Sequence, residues 1–318
     1  MSKYYLGIDM GGTDIKVGVI DDQCNILAKH VFSTLSDCSA EKVIADMAAA
    51  GKTVVEMAGL SPDDIEHVGV GVPGTVNNKT NMIIRITNVG WRNIDFIPLF
   101  KKYWDIPVFL GNDADAAALA EVYAGAARGY ENAIVLTLGT GVGGGFVFDK
   151  KIFTGNGFGT EPGHIIIVVD GESCGCGARG CLEAYASVTA LIREARRIMA
   201  KFPGSLLHEL CGGDDSRVNG KIIFDAVKQG DEAAQIIVSD YVKYLGVGIA
   251  SLCNALRPQI VLLGGGLSEA GEPLFGPLDK IVEASIYSTG DDGMPPILKA
   301  ELGNDAGLIG AALFGVGS

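Results

Sequence analysis

A chain of 318 residues, 48% hydrophobic and 20% charged, has the make-up of a packed enzyme. It is about twice the length of a typical domain, so two lobes with separate cores and a binding cleft are expected. The formal net charge of −13, with no Lys/Arg-rich run, argues against a nucleic-acid partner but not against ATP, which backbone N–H groups and a metal ion can hold locally.

The chain starts Met1-Ser2-Lys3 and runs at once into a strand-like segment, without the regions of a signal peptide. No apolar stretch reaches about 18 residues without glycine or charge. A cytoplasmic protein with no membrane partner is therefore expected. Tyr4–Asp9, Lys16–Ile20 and Ile26–Phe32 read as three short strands joined by Gly-rich or Asp/Asn turns, a meander. Residues 40–58 follow as a helix, with Val43, Ile44, Met47, Val54 and Val55 at helical spacing and Gly59 at the C-terminal cap. His67–Val72 reads as a buried strand closed by Pro73-Gly74. After a strand at Val108–Leu110 and a helix at 114–124 the order recurs. Strands are expected at 133–138, 144–148 and 165–168, helices around 182–200 and 233–256, and a last strand at 260–263. Hairpins demand antiparallel pairing while helical crossovers do not, so a mixed sheet in each lobe is predicted.

The 45 glycines are about twice the customary share, and many cluster where backbone can approach a ligand. In Asp9-Met10-Gly11-Gly12-Thr13, glycines let N–H groups reach phosphate oxygens, Thr13 offers a further donor and Asp9 can orient Mg²⁺ through water, with Lys16 adding charge. Leu138-Gly139-Thr140-Gly141 repeats the device, which points to a duplicated meander-plus-helix unit. Gly264-Gly265-Gly266 is a candidate third nucleotide contact, on the adenosine side. No Walker A loop is present.

Asn112-Asp113-Ala114-Asp115 stands where a strand gives way to an Ala-rich helix. Either aspartate can be a helix cap, and either can be the base that phosphoryl transfer to an alcohol requires. Seven cysteines, an odd number, argue against a disulfide framework. Cys24, Cys38, Cys211 and Cys253 are dispersed. Cys174, Cys176 and Cys181, with His164, match a closed tetrahedral Zn²⁺ site of structural type. Glu161 and Glu183 bracket these ligands, and with Asn88, Asn112 and Pro73-Gly74 they suit the dense hydroxyls of a sugar.

Together Asp9-Met-Gly-Gly-Thr13, Pro73-Gly74, Asn88-Val-Gly-Trp91, Asn112-Asp113-Ala114, Leu138-Gly-Thr-Gly-Val-Gly143, Glu161-Pro-Gly-His164, the cysteine cluster and Gly264-Gly-Gly266 resemble the ROK sugar kinases of the actin/hexokinase-like superfamily, over nearly the whole chain. The resemblance implies an α/β fold with two lobes of ribonuclease-H-like topology, at about 1–112 and 113–302, and a final helix, about 303–318, that returns to the first. It implies ATP as donor, Asp113 as the base, Asn88, Asn112, Glu161, His164 and Glu183 as sugar contacts, and His164 as a zinc ligand as well. The two Gly-Thr turns match its phosphate loops. Glucokinases resemble the chain most in the Glu-x-Gly-His and Cys-Gly-Cys-Gly segments, with kinases of N-acetylmannosamine, fructose, allose or N-acetylglucosamine as alternatives. Thr160, Pro162 and Asp115 depart from the family's usual residues. Repressors of the same family carry an N-terminal helix-turn-helix; with the phosphate turn expected at residue 9, a kinase rather than a repressor is expected. A homo-oligomer, dimer or tetramer, is expected.

Overall fold

A computed structural model describes residues 2–34, 38–287 and 293–316. The meander is β1 (Tyr4–Met10), β2 (Asp14–Asp21) and β3 (Ile26–Ser33), each antiparallel to the next. Helix α1 (Ala40–Met57) starts at Ser39, whose side chain accepts from Lys42 N, and stops before Gly59, which takes φ 74°. Its five aliphatic residues at helical spacing are all buried, each contributing on the order of 1.5–3 kcal/mol of transfer free energy. The helix reverses the chain, so β4 (Ile65–Val72) pairs parallel with β1.

Residues 75–95 form a small antiparallel sheet that the sequence reading missed: β5 (Thr75–Asn77), β6 (Met82–Ile86) and β7 (Trp91–Asp95). After α2 (Phe96–Lys101), β8 (Val108–Asn112) pairs parallel with β4 and leads into α3 (Asp113–Tyr123). The first large sheet has the order β3-β2-β1-β4-β8.

The second half continues with β9 (Ala133–Leu138), β10 (Val142–Phe148), β11 (Lys151–Ile152), α4 (Glu183–Ala186), α5 (Val188–Met199) and α6 (Leu206–Leu210). It ends with α7 (Gly220–Lys228), α8 (Glu232–Leu256), β12 (Ile260–Gly264), α9 (Glu272–Ser285), β13 (Ile297–Lys299) and α10 (Ala306–Leu313). The second large sheet, β11-β10-β9-β12-β13, repeats the strand permutation of the first. This is the architectural form of the duplication suggested by the two Gly-Thr turns.

The chain divides into one unit of residues 1–133, 145–160 and 301–318 and another of 134–144 and 161–300. The division differs from a boundary at 112/113 because α3 stays with the first unit. There α10 lies along it, Leu119 and Ala120 sharing a core with Ala306, Ile309 and Leu313. Residues 317–318 of the expected last helix lie outside the described residues. The second unit is organised on α8, whose Ile237, Val242, Leu245, Ile249 and Leu252 are buried. By length and composition α8 could cross a membrane, but it packs against α5, α7 and α9 as a core helix.

Two expected elements differ. Residues 165–168 form no strand, only an isolated bridge between Ile166 and Cys181; the run is aliphatic, but no neighbouring strand satisfies its backbone. The helix expected over 182–200 is broken at Ser187, which turns to an extended conformation and caps α5 by accepting from Ala190 N, a bond worth about 1 kcal/mol.

Candidate active site and metal centre

In the first unit, β1 and β2 meet in a turn closed by Gly11 N donating to Asp14 O at 2.8 Å. Thr13 belongs to this turn, and its carbonyl accepts from Thr34 N. Asp9 and Lys16 face each other in the β1–β2 register and their side chains pair at 3.1 Å. Lys16 Nζ also donates to Asn304 O at 2.7 Å. The ammonium thus braces Asp9, where the sequence reading had it adding charge for a phosphate. Gly307, in the first turn of α10, lies so close that a methyl group there would come within 2.7 Å of Asp9 Cγ, so the carboxylate also faces the positive end of that helix. Asn88 stands beside the turn, its Nδ2 3.0 Å from where a Cβ on Gly12 would be.

Asn112 ends β8 and caps α3. Its Oδ1 accepts from Ala114 N at 2.8 Å and Asp115 N at 3.3 Å, and its Nδ2 donates to Gly74 O at 3.1 Å. Expected as a sugar contact, it also ties the helix start to the Pro73-Gly74 turn. Gly74 has φ 144°, and a Cβ there would sit 2.3 Å from Arg85 O, so no other residue fits without moving backbone.

Asp113 is the first residue of α3 and is half-buried, with Oδ1 accepting from Ala114 N at 2.9 Å. Burial raises its pKa from 3.8 to about 6, with Asp9's negative charge adding to the rise, while hydrogen bonds from Ala114 N and Asn112 oppose it. Such a carboxylate is ionised at neutral pH yet basic enough to take a proton. Asp115 is only 2% exposed and lies against Gly145 and Gly159. Burial therefore distinguishes two aspartates that the local sequence leaves equivalent.

In the second unit, the Gly139-Thr140-Gly141 turn between β9 and β10 is held by residues that follow the last cysteine of the cluster. Val188 N donates to Gly139 O at 2.8 Å, Thr189 Oγ1 to Thr140 O at 2.7 Å, and Glu183 Oε2 accepts from Val142 N at 3.1 Å. The sequence reading missed Val188 and Thr189; the helix-capping potential of Ser187 was the one signal that a new helix starts there. Gly264 closes β12 and Gly266 opens a short 3-10 turn. Gly265 takes φ 84°, and a Cβ on it would fall 2.4 Å from Leu138 O. Close approach of the β9 and β12 ends accounts for this glycine without any ligand.

Glu161 is exposed and precedes a short 3-10 turn, Pro162–His164, with proline at a position that needs no N–H donor. Pro162 is buried against Gly144, which gives this unusual residue a packing role. His164 Nδ1 lies 3.7 Å from Cys174 Sγ, and Cys176 Sγ lies 3.7 Å from Cys181 Sγ. All four ligand atoms are within 4.8 Å of one another. Tetrahedral zinc, with Zn–S of about 2.3 Å and Zn–N of about 2.0 Å, has S–S edges of about 3.8 Å and S–N edges of about 3.5 Å. The spacing fits that ion. The Cys176 thiol is held below its ordinary value, first by the bond with the Ala178 backbone. Among the described residues every cysteine is free of disulfide bonds.

The family model for the ROK family matches residues 5–315. A glucokinase from Thermotoga maritima is 37% identical over 310 residues, covering 96% of this chain and 95% of its own. A crystal structure of a ROK family glucokinase from Streptomyces griseus in complex with glucose and AMPPNP superposes with a TM-score of 0.78 at 35% identity, covering 97% of this chain and 98% of that one. For the ROK hexokinase from Thermus thermophilus the TM-score is 0.81 at 34% identity, covering 99% and 97%.

Proposed function

The chain belongs to the ROK family, and from that premise we propose that it is an ATP-dependent glucokinase, making glucose 6-phosphate. The observation that carries the reading is Asp113, a half-buried carboxylate at a helix start whose pKa is lifted to about 6. Full-length similarity to glucokinases, one of them holding glucose and AMPPNP, supports the choice of sugar and donor.

In this reading the Asp113 carboxylate takes the proton of the sugar hydroxyl as that oxygen bonds to the γ-phosphorus of ATP. The bond from that phosphorus to the bridging oxygen breaks, and ADP leaves. In the turns at Gly11-Gly12-Thr13 and Gly139-Thr140-Gly141, where Gly11 N and Gly139 N close the turns themselves, the N–H groups of Gly12, Thr13, Thr140 and Gly141 serve the phosphate oxygens. Asn88, Asn112, Glu161, His164, Glu183 and the Pro73-Gly74 turn bind sugar hydroxyls, and Gly264-Gly265-Gly266 borders the adenosine side. Asp9, fixed by Lys16, is the residue that would orient Mg²⁺, which supplies charge neutralisation on the phosphates. His164, Cys174, Cys176 and Cys181 would hold a structural zinc ion, leaving His164 Nε2 for the sugar. A cytoplasmic homo-oligomer completes the proposal.

The test is ADP release over a panel of glucose, fructose, mannose, allose, N-acetylmannosamine and N-acetylglucosamine. The highest kcat/KM should fall on glucose. A higher value on another sugar would reassign the substrate, and no turnover on any would refute the kinase.

A further inference from the structure

Glu183 touches two sites at once. Its Oε2 accepts from Val142 N at 3.1 Å, in the phosphate turn, and its Oε1 lies 3.5 Å from Cys174 Sγ, in the metal cluster. Gly141 makes the first contact possible, since a Cβ there would come within 2.3 Å of Oε2. Glu183 is two residues beyond Cys181, and both Cys181 and Leu182 are fully buried. The stretch between is rigid: Ala184 N donates to Cys181 O at 3.0 Å and Ala186 N to Leu182 O at 2.8 Å.

The same stretch determines which way the phosphate turn faces. Val188 N and Thr189 Oγ1 hold the carbonyls of Gly139 and Thr140. In a trans peptide the N–H points opposite to the carbonyl of the preceding residue, and no cis bond occurs among the described residues. The N–H groups of Thr140 and Gly141 are therefore both turned away from α5, side by side, as a pair of donors for one phosphate. Their direction depends on where α4 and α5 start, and the α4 start is joined to Cys181 by the bond from Ala184 N to Cys181 O.

Resting on the kinase reading above, we infer that Glu183 is a positioning residue coupling the metal site to the nucleotide site. A metal held by His164 and the three cysteines raises the affinity of the Gly139–Val142 turn for the ATP triphosphate. By linkage, nucleotide raises metal affinity by the same factor.

Two equilibrium measurements test this. AMPPNP binding is titrated calorimetrically with zinc-loaded protein and with protein stripped by a chelator. Zinc transfer to the chromophoric chelator 4-(2-pyridylazo)resorcinol is measured with and without AMPPNP. Stripping should weaken AMPPNP binding about tenfold, within the usual range of coupling, and AMPPNP should strengthen zinc retention by the same factor. Glu183→Ala should weaken AMPPNP binding and abolish the coupling. Glu183→Gln keeps an oxygen for Val142 N and should keep most of the AMPPNP affinity, even where glucose affinity falls. Should Glu183→Ala not fold, Thr189→Val gives a second route, lowering AMPPNP affinity a few-fold with zinc retention unchanged. Equal AMPPNP affinity in loaded and stripped wild type, or wild-type coupling in Glu183→Ala, overturns the inference. Failure of AMPPNP to bind the loaded wild type would instead sink the kinase reading.

Discussion

Asp113 and Glu183 both open a helix, and the two helix starts are held in place by different means. Asp113 follows a strand paired along its length with β4, has Asn112 capping its helix, and belongs to a helix whose Leu119 and Ala120 share a core with α10. Glu183 opens a helix of four residues without a side-chain cap, at the end of a loop whose only described strand-like pairing is two isolated bridges. One start is positioned by backbone ladders, a cap and packing; the other is packed through Leu182 and Ala186 and lies beside four side chains, of His164, Cys174, Cys176 and Cys181, that could hold a metal ion. A carboxylate of the first kind should stay in place when the metal leaves, whereas one of the second kind should not.

The strongest way to break that comparison is through the chemistry. Asp113→Asn should lower kcat about a thousandfold, within the range for a lost general base, while glucose affinity changes by no more than a few-fold, because the amide keeps the shape and the helix start. A variant that loses glucose binding instead would make Asp113 a structural residue. Next comes the metal. Chelation or Cys176→Ser should cost on the order of 10- to 100-fold in glucose affinity, with faster amide exchange over residues 161–186 and unchanged exchange over 108–123. Equal effects on both segments would erase the contrast.

A subtler effect follows from the raised pKa of Asp113. Its folded value of about 6 exceeds the unfolded value of about 3.9, so the folded state binds the proton more tightly. Stability from this group is full below the unfolded pKa and is lost as pH rises through the folded one. Asp113→Asn should thus be more stable than wild type in urea at pH 7.5, by on the order of 3 kcal/mol, with the gain disappearing below about pH 4. A gain independent of pH would deny the shift. The smallest effect is that of the cap: Asn112→Ala should cost about 1 kcal/mol of stability, read as a lower urea midpoint, and free the Pro73-Gly74 turn. No change would mean that the α10 contact alone holds α3.

The same contrast explains what could be read from the sequence. The β1–β3 meander, α1, β4 and the Asn112–Asp113 corner were legible because alternation, helical spacing and cap chemistry are local. The local pattern left Asp113 and Asp115 equivalent and the family resemblance alone preferred Asp113; the difference in their depth depends on the distant Gly145 and Gly159. In the cysteine-bearing loop the grouping of His164 with Cys174, Cys176 and Cys181 was legible and the path was not. Residues 165–168 read as a strand, yet Ile166 is 61% exposed and the run finds no partner strand, only an isolated bridge from Ile166 to Cys181. The β5–β7 sheet was missed because its strands are only three to five residues long. The bond from Val142 to Glu183 spans 41 positions, beyond any local pattern.

The most direct measurement is the pH dependence of kcat/KM for glucose, in wild type and in Asp113→Asn. If a carboxylate of pKa about 6 is the base, wild-type activity falls tenfold per pH unit below that value and the residual activity of the variant shows no such break. A wild-type profile level from pH 5 to 7.5, or the same break surviving in Asp113→Asn, would contradict the account.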